Sequence, residues 1–177
     1  FHGPSVRTFA QLRQTPERAI LLRTMETFHI TGGKPLSGSI TISGAKNGAS
    51  KMIIASMLTD EEVVLRNVPK QRETAITEEI VTTVGATAAW EEGTSTLRLR
   101  TPSVSTASVR ELSEKNRISV LAIAPLLHRT GEAFVPLVGG DKIGQRPVNF
   151  HVDALQKMGA NVEATADGYH ATISGRL

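Results

Sequence analysis

Cysteine is missing altogether from the 177 residues, which removes disulfides, thiolate metal ligands and a thiol nucleophile together. Aromatic residues are nearly as scarce, with one Trp, one Tyr and five Phe, so a stacking platform for single-stranded nucleic acid has little to be built from. Long hydrophobic runs are lacking too. The apolar stretches at 52–58 and 120–127 are too short to span a bilayer and have no signal-peptide flanks. The expectation is a monomer of the cytoplasm with neither membrane nor nucleic acid as partner.

The basic balance is local. Of the net charge of +3, all is accounted for by residues 1–24, where Arg7, Arg13, Arg18 and Arg23 stand against Glu17 alone. The rest of the chain balances, so a basic surface spread over the fold is not implied. Patterned sequence begins near Phe28, and Met25 is a plausible start. Residues 1–24 therefore read as a non-native or disordered extension, with a targeting segment as the other reading.

What remains is 40% apolar, enough for the core of one ordinary domain. Alternation in FHI and SITIS predicts two short strands around GGKPLSG. An apolar helical pattern runs from Lys46 to about Leu58, followed by a strand in VVLRNVP that stops at Pro69. A second helix spans about Glu73 to Val84 with Gly85 as its cap, and the strands ATAAW and TLRLR follow around EEGTS. The order then returns: a helix at 115–129, a strand in EAFVPL, a helix at 147–158 ended by Gly159, and a hairpin of ANVEAT and HATIS around ADG. MLTDEEVVL aligns with LLHRTGEAFVPL, and IVTTVGATAAW with ALQKMGANVEA. The offset grows from 69 to 74 between these anchors, which places a five-residue insertion around GGDKIGQRP in the second copy. The fold class is α/β, built of repeated units.

Three predicted helices begin with cations: Lys46 beside Asn47, Lys115 with Arg117, and Arg146 before Pro147. Helix starts carry unsatisfied N–H groups and partial positive charge, so cations there are mildly unfavourable unless an anion is expected. Any one of them reads most simply as a solvated side chain. The three together point to a polyanion such as phosphate. Gly139, Gly140 and Gly144 would let the GGDKIGQRP backbone approach a ligand, with an ordinary connection as the plain alternative. The loop has neither Walker nor dinucleotide spacing. His29, His128, His151 and His170 lack metal-ligand spacing, and Trp90 and Tyr169 sit in hairpins where packing is the simpler role. No cofactor or metal is expected.

The segments SGAKNGASK, NVP, KNRISVLAIAPLL and GGDKIGQRPVNFHVDALQKMGA resemble the enolpyruvyl transferases that act on UDP-N-acetylglucosamine, over nearly all of residues 25–177. The resemblance implies an inside-out α/β barrel of two lobes, each of three repeated units. Residues 25–44 would be initial strands of the distal lobe, and 45–177 about two units of the catalytic lobe, with the general base beyond Leu177. It also implies transfer of the enolpyruvyl group of phosphoenolpyruvate to the 3'-hydroxyl of UDP-N-acetylglucosamine, the first committed step of peptidoglycan synthesis. By position, Lys46, Asn47 and Arg146 would hold phosphoenolpyruvate, and Lys46 would also be catalytic, together with Asp141. Arg117, Arg146, Pro147, Val148, Asn149 and Phe150 would contact the UDP-sugar, with His151 beside them and Lys70 and Arg72 ranked lower. Asp141 stands where the family usually has a cysteine that donates a proton and is alkylated by fosfomycin, so resistance to that antibiotic is implied. At its ordinary pKa an aspartate is protonated in only about one molecule in a thousand at pH 7. The proton-donor role therefore requires a closed loop and bound phosphate to raise it. The chain by itself is expected to be inactive. Alternatives are 5-enolpyruvylshikimate-3-phosphate synthase and a non-catalytic UDP-sugar binding module.

Overall fold

The computed structural model describes residues 29–33, 35, 37–109, 118–137, 148–175 and 177. The chain divides into two compact units, 1–39 and 40–177. In the first, the described residues carry no helix or strand. The strands expected in FHI and SITIS are not found among the described residues, and Ile30, Ile40 and Ile42 are 81–89% exposed. Alternating isoleucines supply strand propensity, but a strand exists only against a partner ladder, and none of the described strands pairs with them.

The second unit opens with helix α1, Lys46–Ala55, which tightens into a 3-10 turn at Ser56–Leu58. Ala49, Ser50, Ile53, Ile54 and Met57 are all buried, a spacing that lies along one face of a helix. Strand β1, Val63–Leu65, leads to helix α2, Arg72–Thr83. α2 buries Thr74, Thr77, Ile80 and Val81. Strands β2, Thr87–Trp90, and β3, Leu97–Arg100, complete an antiparallel sheet in the order β1-β3-β2. In β3 Leu97 and Leu99 point into the core while Arg98 and Arg100 point away, the period of two that TLRLR predicts.

The second copy repeats this. A 3-10 helix, Ile118–Ala122, runs into helix α3, Ile123–Thr130, where a single helix is expected from sequence. Pro125 lies in the first turn of α3, where its missing N–H is tolerated but cannot extend an α-helical ladder backwards. Strand β4, Glu132–Val135, helix α4, Asn149–Lys157, and strands β5, Asn161–Thr165, and β6, Gly168–Thr172, follow. The sheet order is β4-β6-β5, the same as in the first copy. Gly85 and Gly159 follow the two matched helices with φ of 112° and 98°, as helix-ending glycines do.

Ladder register refines the alignment. Val63 pairs with Leu99 and Ala133 with Ala171, while Thr87 and Asn161 pair with Arg100 and Thr172. Val63 and Ala133 thus occupy equivalent places 70 apart, and Thr87 and Asn161 equivalent places 74 apart. The second copy has gained four residues between its first and second strands, one fewer than the sequence alignment gives, and its helix starts three residues later relative to the matched glycine. The connection is 66–71 in one copy and 136–148 in the other.

The two copies share one interior. α1 packs on α2 and on the 3-10 helix of the second copy, and α3 packs on the 3-10 turn of the first. Ile53, Ile123, Leu126 and Leu127 meet there at 0–1% exposure. Each such side chain contributes about 1.5–3 kcal/mol of apolar burial. Arg129 near the end of α3 fastens the copies by donating Nη1–H to the Met57 carbonyl at 3.0 Å and Nη2–H to that of Thr101 at 3.0 Å.

Candidate functional site

The start of α1 is built without the usual helix-start chemistry. Its N-cap, Ala45, has no side chain to bond the free N–H groups, and no acidic residue lies in the first turn. Lys46 and Asn47 occupy that turn and are exposed. The preceding loop is pinned by close packing: a Cβ on Gly44 would run into the Asn67 carbonyl oxygen, with the Pro69 ring 3.6 Å away. Asn67 itself sits at φ 57°, a left-handed conformation that asparagine tolerates better than most residues. Thus SGAKN and NVP, far apart in sequence, touch through backbone, and the starts of α1 and α2 come together.

Glu73, in the first turn of α2, joins them. Its Oε2 lies 2.8 Å from Lys46 Nζ, and its Oε1 accepts a hydrogen bond from Ser50 Oγ at 3.2 Å. The carboxylate suits the positive end of α2 as well. Sequence reading passes over Glu73, because its meaning depends on a partner 27 residues away and no local pattern marks it.

The other sequence-predicted residues divide. Asn149, Phe150 and His151 lie in the first turn of α4, all exposed, with Phe150 at 79%. That turn also has no acidic residue and no side-chain cap. Val148 is packed in the core at 7% exposure, and its carbonyl accepts the His151 N–H at 2.9 Å. Lys70 lies over the Trp90 ring, 4.9 Å from its centroid, and Trp90 Nε1–H donates to Glu78 at 3.0 Å. This agrees with a packing role for Trp90 and gives Lys70 a partner within the fold. Arg72 is the exposed first residue of α2. Arg117, Asp141, Arg146 and Pro147 lie outside the described residues. Among the described residues no group of three His, Asp or Glu gathers as a metal site would require, and no helix is long and apolar enough to cross a membrane.

Fold and site together define a duplicated α/β protein whose helices share the interior and whose first helix starts at the surface on a lysine and an asparagine. Residues 30–176 match the family model for EPSP synthase (3-phosphoshikimate 1-carboxyvinyltransferase). The chain is 38% identical to UDP-N-acetylglucosamine 1-carboxyvinyltransferase of Chlamydia pneumoniae, over 83% of this chain and 32% of that protein. It is 42% identical to the protein of that name from Methylacidiphilum infernorum, over 78% and 32% respectively. Among solved structures, the enolpyruvyl transferase NikO from Streptomyces tendae matches with a TM-score of 0.67 at 25% identity, covering 82% of this chain and 32% of that one. EPSP synthase from Acinetobacter baumannii matches at 0.58 and 14% identity, covering 79% and 33%, a likeness of fold. The chain belongs to the enolpyruvyl transferase family. It spans about a third of the length of these relatives.

Proposed function

We propose that this chain carries part of the cleft of an enzyme that moves the enolpyruvyl group of phosphoenolpyruvate to the 3'-hydroxyl of UDP-N-acetylglucosamine and releases phosphate. The observation that carries the reading is the 38–42% identity to relatives named for that reaction, together with the start of α1 at Lys46 and Asn47, whose first turn holds no acidic residue and no side-chain cap. Protonation of C3 of the enol phosphate leaves positive charge at C2, the hydroxyl adds there as it gives up its proton to a base, and the tetrahedral intermediate then loses phosphate together with a proton from C3, which restores the double bond. Such a path needs a proton donor and fixed positive charge around phosphate and carboxylate. Lys46, Asn47 and Arg146 supply the charge and hydrogen bonds for phosphoenolpyruvate. Arg117, Arg146, Pro147, Asn149 and Phe150 receive the UDP-sugar, and Val148 serves by its backbone. Asp141 gives the proton to C3, provided that burial and the phosphate charge raise its pKa against the pull of Lys142 and Arg146.

The inside-out barrel of three-unit lobes, the division at 24 and 44, a cytoplasmic monomer and the inactivity of the chain by itself belong to the same reading. The family model, described by its shikimate reaction, favours 3-phosphoshikimate as the second candidate acceptor. The test is phosphate release by the protein in its encoded length, supplied with phosphoenolpyruvate and either acceptor. UDP-N-acetylglucosamine should support turnover and 3-phosphoshikimate should not; the reverse sinks the proposal. Incubation with fosfomycin should leave turnover intact, because a carboxylate at 141 offers no thiolate to open the epoxide. Time-dependent inactivation would exclude that role for Asp141.

A further inference from the structure

The turn between β5 and β6 is braced by Thr165, whose Oγ1 donates to the Gly168 carbonyl at 3.0 Å and accepts the Asp167 N–H at 3.3 Å. Gly168 is buried at the start of β6 with φ 151°. It lies one step past the last β4–β6 pair, Val135 with Tyr169, against the backbone of the residues that leave β4. A Cβ there would run into the Val135 carbonyl oxygen and stand 2.9 Å from Pro136 Cα. Pro136 is itself buried, whereas Leu137 is 45% exposed, so the chain leaves the core between them. Its return is fixed at Val148, 7% exposed, whose carbonyl accepts the N–H groups of His151 and Val152. The connection that carries Asp141 is therefore held at two buried posts, and the first is a proline of fixed φ seated on a glycine.

The first copy seats its link on the equivalent hairpin by other means. Val68 N–H donates to the Ser95 carbonyl at 2.8 Å. The residue matching Gly168 is Thr96, which is buried with its side chain, so the frame does not itself require a glycine at this place. In the copy with the long connection, the turn instead comes down to backbone contact with the root of that connection.

We propose that Gly168 is a positioning residue for Asp141: by seating Pro136 it fixes the direction in which the long connection leaves the core, and so where the carboxyl can reach. The proton-donor role of Asp141 rests on the functional reading above, whereas the seating of Pro136 does not. Glycines at 139, 140 and 144 give the connection few restraints of its own, so its aim depends on its ends. A misplacement of about 1 Å at the reacting atoms can lower a rate about 100-fold.

In the protein at its encoded length, Gly168→Ala should lower kcat about 30-fold. KM for UDP-N-acetylglucosamine should change less than about threefold, because Asn149 and Phe150 lie beyond the other post. Pro136→Ala leaves the hairpin untouched and frees only the root, and should lower kcat about fivefold. Leu99→Ala, at a position 1% exposed in the first sheet, destabilises the other copy and should leave kcat within about twofold, which separates aim from stability. Trypsin cleavage after Lys142, identified by mass under conditions where the protein is folded, should quicken about tenfold in Gly168→Ala and Pro136→Ala and not in Leu99→Ala. Quicker cleavage with unchanged kcat overturns the proposal, and so does a lowered kcat with unchanged cleavage. Should Gly168→Ala fail to fold, Pro136→Ala decides by the same two readings. Should the wild-type enzyme turn over neither acceptor, the functional reading falls. The cleavage rates then decide whether Gly168 seats the connection: quickening on substitution supports it, and equal rates overturn it.

Discussion

The first copy, α1 to β3, and the second, from the 3-10 helix to β6, have the same strand order and the same helix-ending glycines, yet they differ where the proposed site residues fall. In the first copy the link from strand to helix is short, 66–71, and the helix after it carries in its first turn the Glu73 carboxylate, paired with Lys46. In the second it runs from 136 to 148 and carries Asp141 and Arg146. The difference teaches that the duplicated sheets are a frame, and that the largest change in length lies in one connection, the second copy's hairpin being only two residues shorter. A loop can lengthen at small entropic cost while the ladder that flanks it stays in register.

If the frame is truly shared, matched core positions should respond alike. Ile53 and Ile123 stand 70 apart, as the first strands do, and each is 0% exposed. Ile53→Ala and Ile123→Ala should each cost about 3–4 kcal/mol in chemical unfolding, within about 1 kcal/mol of one another. A much smaller cost for one would show that the copies do not share a single core. Where the copies differ, substitution should act on one only. Gly168 has φ 151°, and a Cβ there would meet the Val135 carbonyl and, at 2.9 Å, Pro136 Cα. By the 72-residue offset of the third strands, the counterpart of Gly168 in the first copy is Thr96, which already carries a side chain and stays buried. Gly168→Ala should cost about 2–3 kcal/mol. Amide exchange should accelerate in β4 and β6 before β1 and β3; equal acceleration in both sheets would contradict the confinement.

Much of this frame is legible in sequence because it is written in local periods. TLRLR alternates and becomes β3, and Ala49, Ile53 and Met57 recur every fourth residue and become the buried face of α1. The isoleucines of FHI and SITIS alternate equally well but form no strand among the described residues, since propensity supplies no pairing partner. The cation-led start of α1 is likewise legible, whereas Glu73 is not, because an ion pair between two helix starts is fixed by tertiary packing. Val148, one of the residues expected beside the UDP-sugar, is turned inward to 7% exposure by the entry of α4, an orientation that no local pattern foretells. Of the candidate site, the sequence therefore reports charges and their order, while which side chain restrains which is a property of the fold.

Arg129 gives the smallest expected effect and the sharpest view of how the copies are held together. By the 70-residue offset its counterpart in the first copy is Thr59, which cannot reach across, so the guanidinium is a fastening that only one copy supplies. Nη1–H and Nη2–H donate to the carbonyls of Met57 and Thr101, and Nη2–H also approaches that of Pro102 at 3.4 Å. The Met57 carbonyl belongs to a 3-10 turn with no following helix to satisfy it, and the Thr101 carbonyl follows the end of β3. Removal leaves both to water that a partly buried seam admits poorly, so Arg129→Ala should cost about 1.5–2 kcal/mol. Arg129→Lys should recover less than half of that, because an ammonium is a single point of charge and cannot span two carbonyls as a planar fork does. Full recovery by lysine would mean that charge near the end of α3, rather than the fork, joins the two copies.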